Sequence, residues 1–460
     1  MAIHKKSKII SIVGAGGKTT LTFELANKYA KLGNSVLVTT TTHMLDDNFY
    51  HALTEALEKD NIDGNPKKSH VYKIGSSRGD RVGILSKEEL DKAKEIFDYI
   101  IVEADGSRCM PIKKPDLNKE PVILDGSDEI YIVMGRAAIG RKFKIVCHRY
   151  NLLTNEEKNE IEKLFCKNNE TIDELLVTEE LLKYCAKKFY VEPLSKNFPD
   201  AEFITYLADM KKGENYKNYK KIAFVNLASG SSRRFSASVK EYALGIISKK
   251  DSGLYSKKLV KLASDVFNKL DKNSFVNKLV VPYKKRPIFE HLLNEEVKAR
   301  DLVINHFKNE YKHNIKIDIA MVTPYLKIEK LSKKIYKNIK IIYNPKENEG
   351  ISSSIKKAVN YYSDYDAIIF FNADFINLKY DEIGRFVINS IESNNERAMM
   401  CNEAGSMSVP AFADKKVFKD IKKISGDKGA KEILSKEPCY LYHIDDKALS
   451  DIDDIKDILL

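Results

Sequence analysis

KIISIVGAGGKTTLTFELANKYAKLG, residues 8–33, joins an apolar run to a glycine-rich loop and then to a segment with helical apolar spacing. The apolar run predicts a buried strand, and Gly33 lies where the following helix would end. Two later segments, SVLVTTTTHM and FDYIIVEADG, repeat the strand pattern. Strands separated by helices indicate a parallel sheet, so the first half is expected to be an α/β domain.

The second half of the chain restarts the same pattern. Its strand-like runs are KIAFVNLA, IKIDIAMV, NIKIIYN and DAIIFFNAD, and helical stretches separate them. A chain of 460 residues is long enough for two domains that each bury their own core. We therefore predict an N-terminal domain over 1–212, a polar linker over 213–220 and a second α/β domain over 221–460.

Composition narrows the class of protein. Apolar residues make up 43% and charged residues 31%, and the longest apolar runs fall far short of the roughly 20 residues of a membrane span. The net charge of +11 is spread over many lysines without an arginine-rich tract, which favours solvated helix faces over nucleic-acid binding. The six cysteines form no CxxC pair, which argues against structural zinc and a disulfide framework. We expect a cytoplasmic protein with neither a nucleic-acid nor a membrane partner.

The first glycine-rich loop predicts a P-loop NTPase-like phosphate site, although Ile12 replaces the first glycine of the full motif. Its residues are Gly14, Ala15, Gly16, Gly17, Lys18, Thr19 and Thr20. Backbone amides and the helix dipole would hold phosphate, Lys18 would reach the β- and γ-phosphates, and Thr19 would bind magnesium. Glu103 and Asp105 end a strand and are candidate magnesium carboxylates. A simple glycine turn that opens a helix is the alternative.

Several spaced motifs of the first half resemble the YqeC family. They are VGAGGKTT, VLVTTTTHM, VEADGSRCMPIKKP, EPVI and VCHRYNLL, and they occur in the family's order over roughly residues 8–210. The family comprises accessory factors for selenium-dependent molybdenum hydroxylases, so the resemblance implies a hydroxylase apoprotein as partner. YLAD (206–209) keeps only the Asp209 of a guanine-reading NKxD segment, which leaves both ATP and GTP open for this site.

A second set of candidate residues surrounds LASGSSRRF in the other half. Candidate nucleotide-binding residues are Leu227, Ala228, Ser229, Gly230, Ser232, Gly350, Ser352 and Ser353. The loop would present backbone amides and hydroxyls to a triphosphate, and Gly350 opens a helix whose N-terminus favours anions. Arg234 and Lys278 would supply positive charge. Asp374 ends a strongly apolar strand, where a magnesium ligand would lie, and Asp451 and Asp453 are further acidic candidates.

The order of these segments resembles the MobA-like nucleotidyltransferases, specifically molybdenum cofactor cytidylyltransferases. LASGSSRRF, NKLVVPYKKRPI, EGISSS, NADF, SGDKGA and LSDIDDI follow one another over 221–460. The resemblance implies a Rossmann-like sheet, catalysis by Arg234, Lys278 and Asp374, and magnesium at Asp374 with an acidic residue of DID. LASG in place of LAGG favours CTP over GTP. Ser236 replaces a family glycine, and NADF lacks the family's proline.

An insert separates RRF from NKL, where relatives need only a few residues. It covers 236–276 and has lysines and apolar residues at helical spacing. This pattern predicts one or two amphipathic helices. Because the insert interrupts the triphosphate loop itself, it is either a surface decoration or a lid or docking element.

Together the two resemblances imply a molybdenum cofactor maturation protein. The C-terminal domain would transfer CMP from CTP to molybdopterin, and the N-terminal domain would bind or hydrolyse ATP or GTP in support of hydroxylase maturation. An acceptor phosphate is already a nucleophile, so charge neutralisation and alignment would carry the rate without a general base. Two alternatives stay open. They are a nucleotidyltransferase for another phosphorylated acceptor, such as a sugar phosphate, and a non-catalytic nucleotide-switched cofactor chaperone.

Overall fold

In the computed structural model the chain forms two compact units, Met1–Met210 and Lys211–Leu460. The structure describes residues 7–46, 48–59, 65–79, 81–167, 170–209, 214–230, 232–243, 277–346, 349–393, 395–402, 404–426 and 429–458. The sequence-based domain bounds of 1–212 and 221–460 stay a prediction.

The predicted linker, 213–220, contributes to the second unit. Residues Glu214–Asn218 form a 3₁₀ turn, in which the Tyr216 ring stacks on Tyr311 with centroids 4.2 Å apart. Tyr219 is 4% exposed and belongs to the core of this unit. The lysines of this segment predict a solvated linker. Its two tyrosines anchor it instead, because the free energy gained by burying aromatic rings exceeds the conformational entropy lost in ordering a short turn.

The first unit is built on a parallel sheet of six strands in the order β11-β9-β1-β7-β2-β4. Its strands, including those of two small side sheets, are β1 (Lys8–Gly14), β2 (Ser35–Thr40), β3 (Met44–Leu45), β4 (His70–Lys73), β5 (Ser76–Arg78), β6 (Arg81–Gly83), β7 (Tyr99–Glu103), β8 (Ile112–Lys113), β9 (Glu129–Gly135), β10 (Cys147–His148) and β11 (Glu202–Ala208). Residues 9–14 of β1 are all buried, as expected for a central strand with helices on both faces.

Helices connect these parallel strands. They are Lys18–Lys31, Leu53–Lys59, Lys87–Ile96, Phe143–Val146, Asn155–Phe165, Glu179–Ala186 and Glu192–Leu194, with a π-helical turn at Lys187–Val191 and 3₁₀ turns at Arg136–Ala138 and Tyr150–Leu152. The helix Lys18–Lys31 follows β1 directly, and its Leu21, Leu25 and Ala26 are buried against the sheet. The glycine-rich loop therefore lies at the carboxyl edge of the central strand, where ligands bind in open α/β sheets.

The second unit is built on a mixed sheet of seven strands in the order β16-β15-β12-β17-β19-β18-β20. Its strands, with a separate two-stranded ribbon β13–β14, are β12 (Lys221–Leu227), β13 (Pro282–Tyr283), β14 (Arg286–Pro287), β15 (Lys316–Thr323), β16 (Lys340–Tyr343), β17 (Ala367–Asn372), β18 (Arg397–Cys401), β19 (Met407–Asp414) and β20 (Tyr440–His443). All neighbours are parallel except β19, which runs antiparallel to both β17 and β18.

The helices of this unit cover the two faces of the sheet. They are Arg233–Ala243, Ile288–Tyr311, Leu326–Ile335, Ile351–Tyr361, Tyr380–Glu392, Phe418–Ile421 and Lys431–Leu434, with 3₁₀ turns at Lys278–Val280, Lys415–Val417, Asp446–Leu449 and Ile455–Ile458. The predicted α/β class is thus confirmed for both halves. Across the residues that the structure describes, no helix is long and apolar enough to cross a membrane.

Candidate nucleotide sites

The first loop requires glycine at three positions. Gly14, Gly16 and Gly17 have φ values of 94°, 71° and 131°, in the left-handed region that side chains disfavour. A Cβ atom on Gly14 would lie 2.2 Å from the carbonyl oxygen of Val133, and one on Gly16 would lie 2.8 Å from the Cα of Pro111. Neighbouring backbone therefore packs against this loop too closely for any side chain.

The two polar residues that end the loop point to different partners. Lys18 is 5% exposed, and its Nζ donates hydrogen bonds to the Gly14 carbonyl at 3.0 Å and to Ser107 Oγ at 3.2 Å. The Thr19 hydroxyl donates to Glu103 Oε2 at 2.8 Å, and burial raises the pKa of this glutamate. Thr19 and Glu103 thus place two oxygen ligands side by side, which suits a hard divalent cation.

Asp105 has a different place from the one that the sequence predicts. Its Oδ2 accepts hydrogen bonds from the Gly14 amide at 3.2 Å and from the Tyr190 hydroxyl at 3.1 Å, while Oδ1 pairs with the buried ammonium of Lys113. Burial raises the pKa of Asp105, and the charges of Lys113 and Lys18 oppose that rise. Because protein donors occupy both oxygens, Asp105 positions the loop and leaves Glu103 as the carboxylate beside Thr19.

Sequence reasoning missed the ionic groups behind this loop. Lys113 Nζ lies 2.9 Å from Glu120 Oε2, and Arg149 forms a second ion pair with the same carboxylate. Burial opposes ionisation of Glu120, but the hydrogen bond and charge of Lys113 lower its pKa to about 2. The motif VEADGSRCMPIKKP already contains Lys113, but a lysine in a two-residue strand gives no sequence signal that it is buried.

The remaining first-half candidates lie along the same edge of the sheet. The Thr40 hydroxyl donates to the Glu103 carbonyl at 2.8 Å, whereas His43 is exposed. A Cβ atom on Gly17 would lie 2.7 Å from the Cβ of Ala208, the last residue of β11. Asp209 follows at once and pairs with Arg136 at 3.4 Å. The YLAD segment therefore ends next to the phosphate loop.

In the second unit, the first residues of the loop after β12 still hydrogen-bond to the neighbouring strand β15. The Ala228 amide and the Ser229 hydroxyl both donate to the Val322 carbonyl, at 3.0 and 3.1 Å. Leu227 is the last residue of β12, and Gly230 is exposed. The contacts of Ala228 and Ser229 thus hold the loop on β15.

Ser232 connects the two ends of the predicted insert. Its φ is 48°, and its Oγ accepts a hydrogen bond from the Lys278 backbone amide at 3.2 Å. The helix Arg233–Ala243 begins at the next residue, before the predicted insert start at 236. The predicted insert helices over 244–276 lie outside the described residues. Lys278 is therefore adjacent in space to the loop after β12, although it lies 46 positions after Ser232 in the chain.

The charged candidates of this unit form one cluster. Lys278 Nζ lies 2.6 Å from Asp374 Oδ2 and 3.3 Å from Asp453 Oδ1, and Arg234 contacts Asp453 Oδ2 at 2.6 Å. Burial alone would lower the pKa of Lys278, but the charge and hydrogen bond of Asp374 raise it, so the ammonium stays protonated. Burial and the charges of Asp374 and Asp453 raise the pKa of Asp451. The structure thus brings together every predicted catalytic residue and the acidic DID segment.

The oxygens of Asp374 and Asp453 converge on one ammonium, so their chemistry and spacing fit a divalent cation that replaces it. Within the described residues, no three His, Cys, Asp or Glu side chains already form such a site. The cluster therefore combines two basic side chains with two carboxylates of the kind that bind divalent cations.

The serines after Gly350 are buried and hydrogen-bonded within the protein. Asn344 Nδ2 donates to Ser353 Oγ at 2.9 Å, and the Ser353 hydroxyl donates to the Lys346 carbonyl at 2.8 Å. The Ser352 amide donates to the Gly426 carbonyl at 3.3 Å. These serines form the N-terminal turn of the helix Ile351–Tyr361.

The structure thus has two α/β units, one with a glycine-rich loop after its central strand β1 and one with a charge cluster around Lys278. Residues 10–151 match the family model of the YqeC protein, and residues 272–440 match that of the MobA-like NTP transferase domain. The chain thus contains a YqeC domain followed by a MobA-like NTP transferase domain, and both predicted resemblances are confirmed. The second match begins after LASGSSRRF and ends before the DID segment.

Individual relatives are similar to separate parts of the chain. The uncharacterized protein YqeC of Escherichia coli (strain K12) is 33% identical over 147 residues, which cover 31% of this chain and 57% of that protein. A nucleotidyl transferase from Methanothermobacter thermautotroptrophicus is 14% identical with a TM-score of 0.35, covering 52% of this chain and 94% of that one. Molybdopterin-guanine dinucleotide biosynthesis protein A from Archaeoglobus fulgidus is 12% identical with a TM-score of 0.32, covering 52% and 95%.

Proposed function

We propose that the C-terminal domain transfers CMP from CTP to the terminal phosphate of molybdopterin, in the cytoplasm, and serves a molybdenum hydroxylase apoprotein. The observation that carries this proposal is the cluster of Arg234, Lys278, Asp374 and Asp453 beside the loop after β12. The MobA-like domain supports nucleotidyl transfer as the reaction. CTP rests on the LASG form of the loop, and molybdopterin rests on the resemblance to cofactor cytidylyltransferases.

The proposed reaction transfers one nucleotidyl group, CMP, from pyrophosphate to the acceptor phosphate. An oxygen of the acceptor phosphate attacks the α-phosphorus of CTP, the bond to the bridging oxygen breaks, and pyrophosphate leaves with the electron pair. Arg234 and Lys278 supply positive charge where negative charge accumulates, and fixed cations of this kind account for much of the rate. Asp374 and Asp453 would hold magnesium, which when bound neutralises the triphosphate and aligns it. In the free protein the two carboxylates keep Lys278 charged and in place.

The N-terminal domain is proposed to bind ATP or GTP at Gly14–Thr20 in support of hydroxylase maturation. The left-handed glycines and the buried Lys18 support this assignment. Thr19 and Glu103 would hold the magnesium ion of the nucleotide. Asp105 would keep the loop in shape through the Gly14 amide.

A nucleotide panel tests the transferase proposal. The full chain is incubated with magnesium, each of the four NTPs and either molybdopterin or a sugar phosphate as acceptor, and pyrophosphate is measured. We expect release with CTP, and loss of about 10²–10³ in rate for Asp374→Asn. Asp364→Asn is the control, because Asp364 pairs with Lys221 at the surface. Release only with another phosphorylated acceptor, or cofactor binding without any release, would contradict the proposal and support a different acceptor or a cofactor chaperone.

A further inference from the structure

Strand β8 brings basic side chains next to the first phosphate loop. The Gly135 amide donates to the Pro111 carbonyl at 2.8 Å, and the Cα of Pro111 lies 2.8 Å from a Cβ position on Gly16. The following strand β8 pairs in parallel with β10, so that His148 lies opposite Lys113. Pro111 thus packs against the loop proposed to bind nucleotide, and β8 and β10 follow beside it.

The ion pairs of this region do not use all of its donors. Lys113 is fully buried between Asp105 and Glu120, while one guanidinium nitrogen of Arg149, Nη2, pairs with Glu120. The other nitrogen, Arg149 Nη1, is buried and has no hydrogen-bond partner among the residues that the structure describes. A buried guanidinium donor without an acceptor is costly, so this one indicates an acceptor from a ligand.

A third cation completes the arrangement. Arg108 is exposed and has a φ of 47°, directly after the Ser107 whose hydroxyl contacts Lys18. Burial and the charges of Lys113 and Arg149 lower the pKa of His148 to about 4. The charge of Arg108 acts in the same direction, so positive charge dominates around this imidazole despite Glu120.

We propose that Arg108 and Arg149, with the imidazole of His148, bind an oxyanion of a second substrate beside the nucleotide loop. The ligand class is a phosphate or carboxylate group, because a guanidinium fork matches both. Glu120 fixes the orientation of Arg149 through their ion pair, and its other oxygen pairs with the buried Lys113. The role as a second-substrate site rests on the proposed nucleotide binding at Gly14–Thr20, whereas the anion binding itself does not.

His148 offers a residue-specific test in the full chain. Its ring is observed by NMR with ¹³C-labelled histidine and assigned by comparison with His148→Gln, while inorganic phosphate and malonate are titrated separately. We expect at least one of the two anions to give a saturable shift and to raise the pKa of His148 by about one unit, because an anion favours the charged imidazole. A response to phosphate alone assigns a phosphoryl group, and one to malonate alone assigns a carboxylate. If neither anion moves the resonance, the proposal is wrong.

Variants separate this site from the phosphate loop. Arg108→Ala, at an exposed position, should weaken anion binding about tenfold, whereas the exposed control Lys31→Ala should leave it unchanged. Equal affinity in these two variants would overturn the proposal. Lys18→Ala should abolish nucleotide binding but keep the anion-dependent shift of His148. Loss of that shift in Lys18→Ala would place the anion in the loop instead, while failure of the wild-type chain to bind nucleotide, with the anion-dependent shift intact, would contradict only the nucleotide role.

Discussion

At the scale of single residues, Lys278 affects both the proposed transfer site and the free energy of unfolding. Its ammonium is the countercharge of Asp374, whose side chain is 9% exposed. Removing it leaves a largely buried carboxylate unpaired, so Lys278→Met should destabilise the protein by about 2 kcal/mol as well as abolish transfer. Magnesium should restore part of the lost stability, because it can replace the ammonium between Asp374 and Asp453.

Thermal unfolding in EDTA and in magnesium measures this effect. We expect the melting temperature of Lys278→Met to rise more on addition of magnesium than that of the wild-type protein or of the exposed control Lys436→Met. If magnesium does not raise the melting temperature of Lys278→Met, the carboxylates do not form a metal site.

Glu296 gives a second residue-scale prediction, which concerns pH. It is fully buried in the helix Ile288–Tyr311, accepts a hydrogen bond from Asn226 Nδ2 at 2.6 Å, and burial raises its pKa to about 8. The folded state thus holds this proton more tightly than the unfolded state, whose pKa is near 4.5. Its contribution to stability is fully present below about pH 4.5 and is lost as the pH rises toward 8, by up to about 1.4 kcal/mol per pH unit.

Glu296→Gln removes the titration but keeps an acceptor for Asn226. Denaturant unfolding at several pH values between 5 and 8 should therefore show that the free energy of unfolding falls less steeply with pH in this variant than in wild type. The two slopes should differ by on the order of 1 kcal/mol per pH unit. The exposed Glu310→Gln is the control and should keep the wild-type slope. An unchanged slope in Glu296→Gln would mean that the buried carboxyl does not determine the pH dependence.

At the scale of elements, the helix Arg233–Ala243 determines how long a replacement for the following segment must be. Its Phe235 and Val239 are buried in the core, and Ser238 Oγ accepts from the Ile455 amide at 3.0 Å. Lys278, which follows 244–276 in the chain, donates its backbone amide to Ser232 at the beginning of this helix. Eleven residues of helix are about 16 Å long, so a replacement for 244–276 must span roughly that distance.

We therefore predict a length threshold for a Gly/Ser replacement of 244–276. An eight-residue linker reaches about 26 Å and should preserve the melting temperature, while a two-residue linker reaches only about 7 Å and should lower it. An unfolded eight-residue variant would contradict the anchoring described here. With the fold intact, retained CMP transfer identifies the segment as a surface insertion, and lost transfer identifies it as a lid or docking element.

At the scale of the whole molecule, the two alternations of strands and helices and both loops could be predicted from the sequence, because apolar runs and glycines are local signals. The antiparallel strand β19 was not predicted, since strand direction depends on pairing with β17 and β18 rather than on its own residues. The ion pairs of Lys113 with Asp105 and Glu120 were missed for a similar reason. A lysine reads as solvated until tertiary contacts bury it.

Each unit has its own sheet, and every buried core cluster draws its residues from one unit alone. We therefore predict that residues 1–210 and 211–460 fold when expressed separately, each with a cooperative melt by circular dichroism. The second fragment should release pyrophosphate with CTP and molybdopterin at the rate of the full chain. The first should bind nucleotide and lose that binding in Lys18→Ala. If the second fragment were folded but inactive while the full chain was active, transfer would require the YqeC domain, and the charge cluster around Lys278 would not be a complete site.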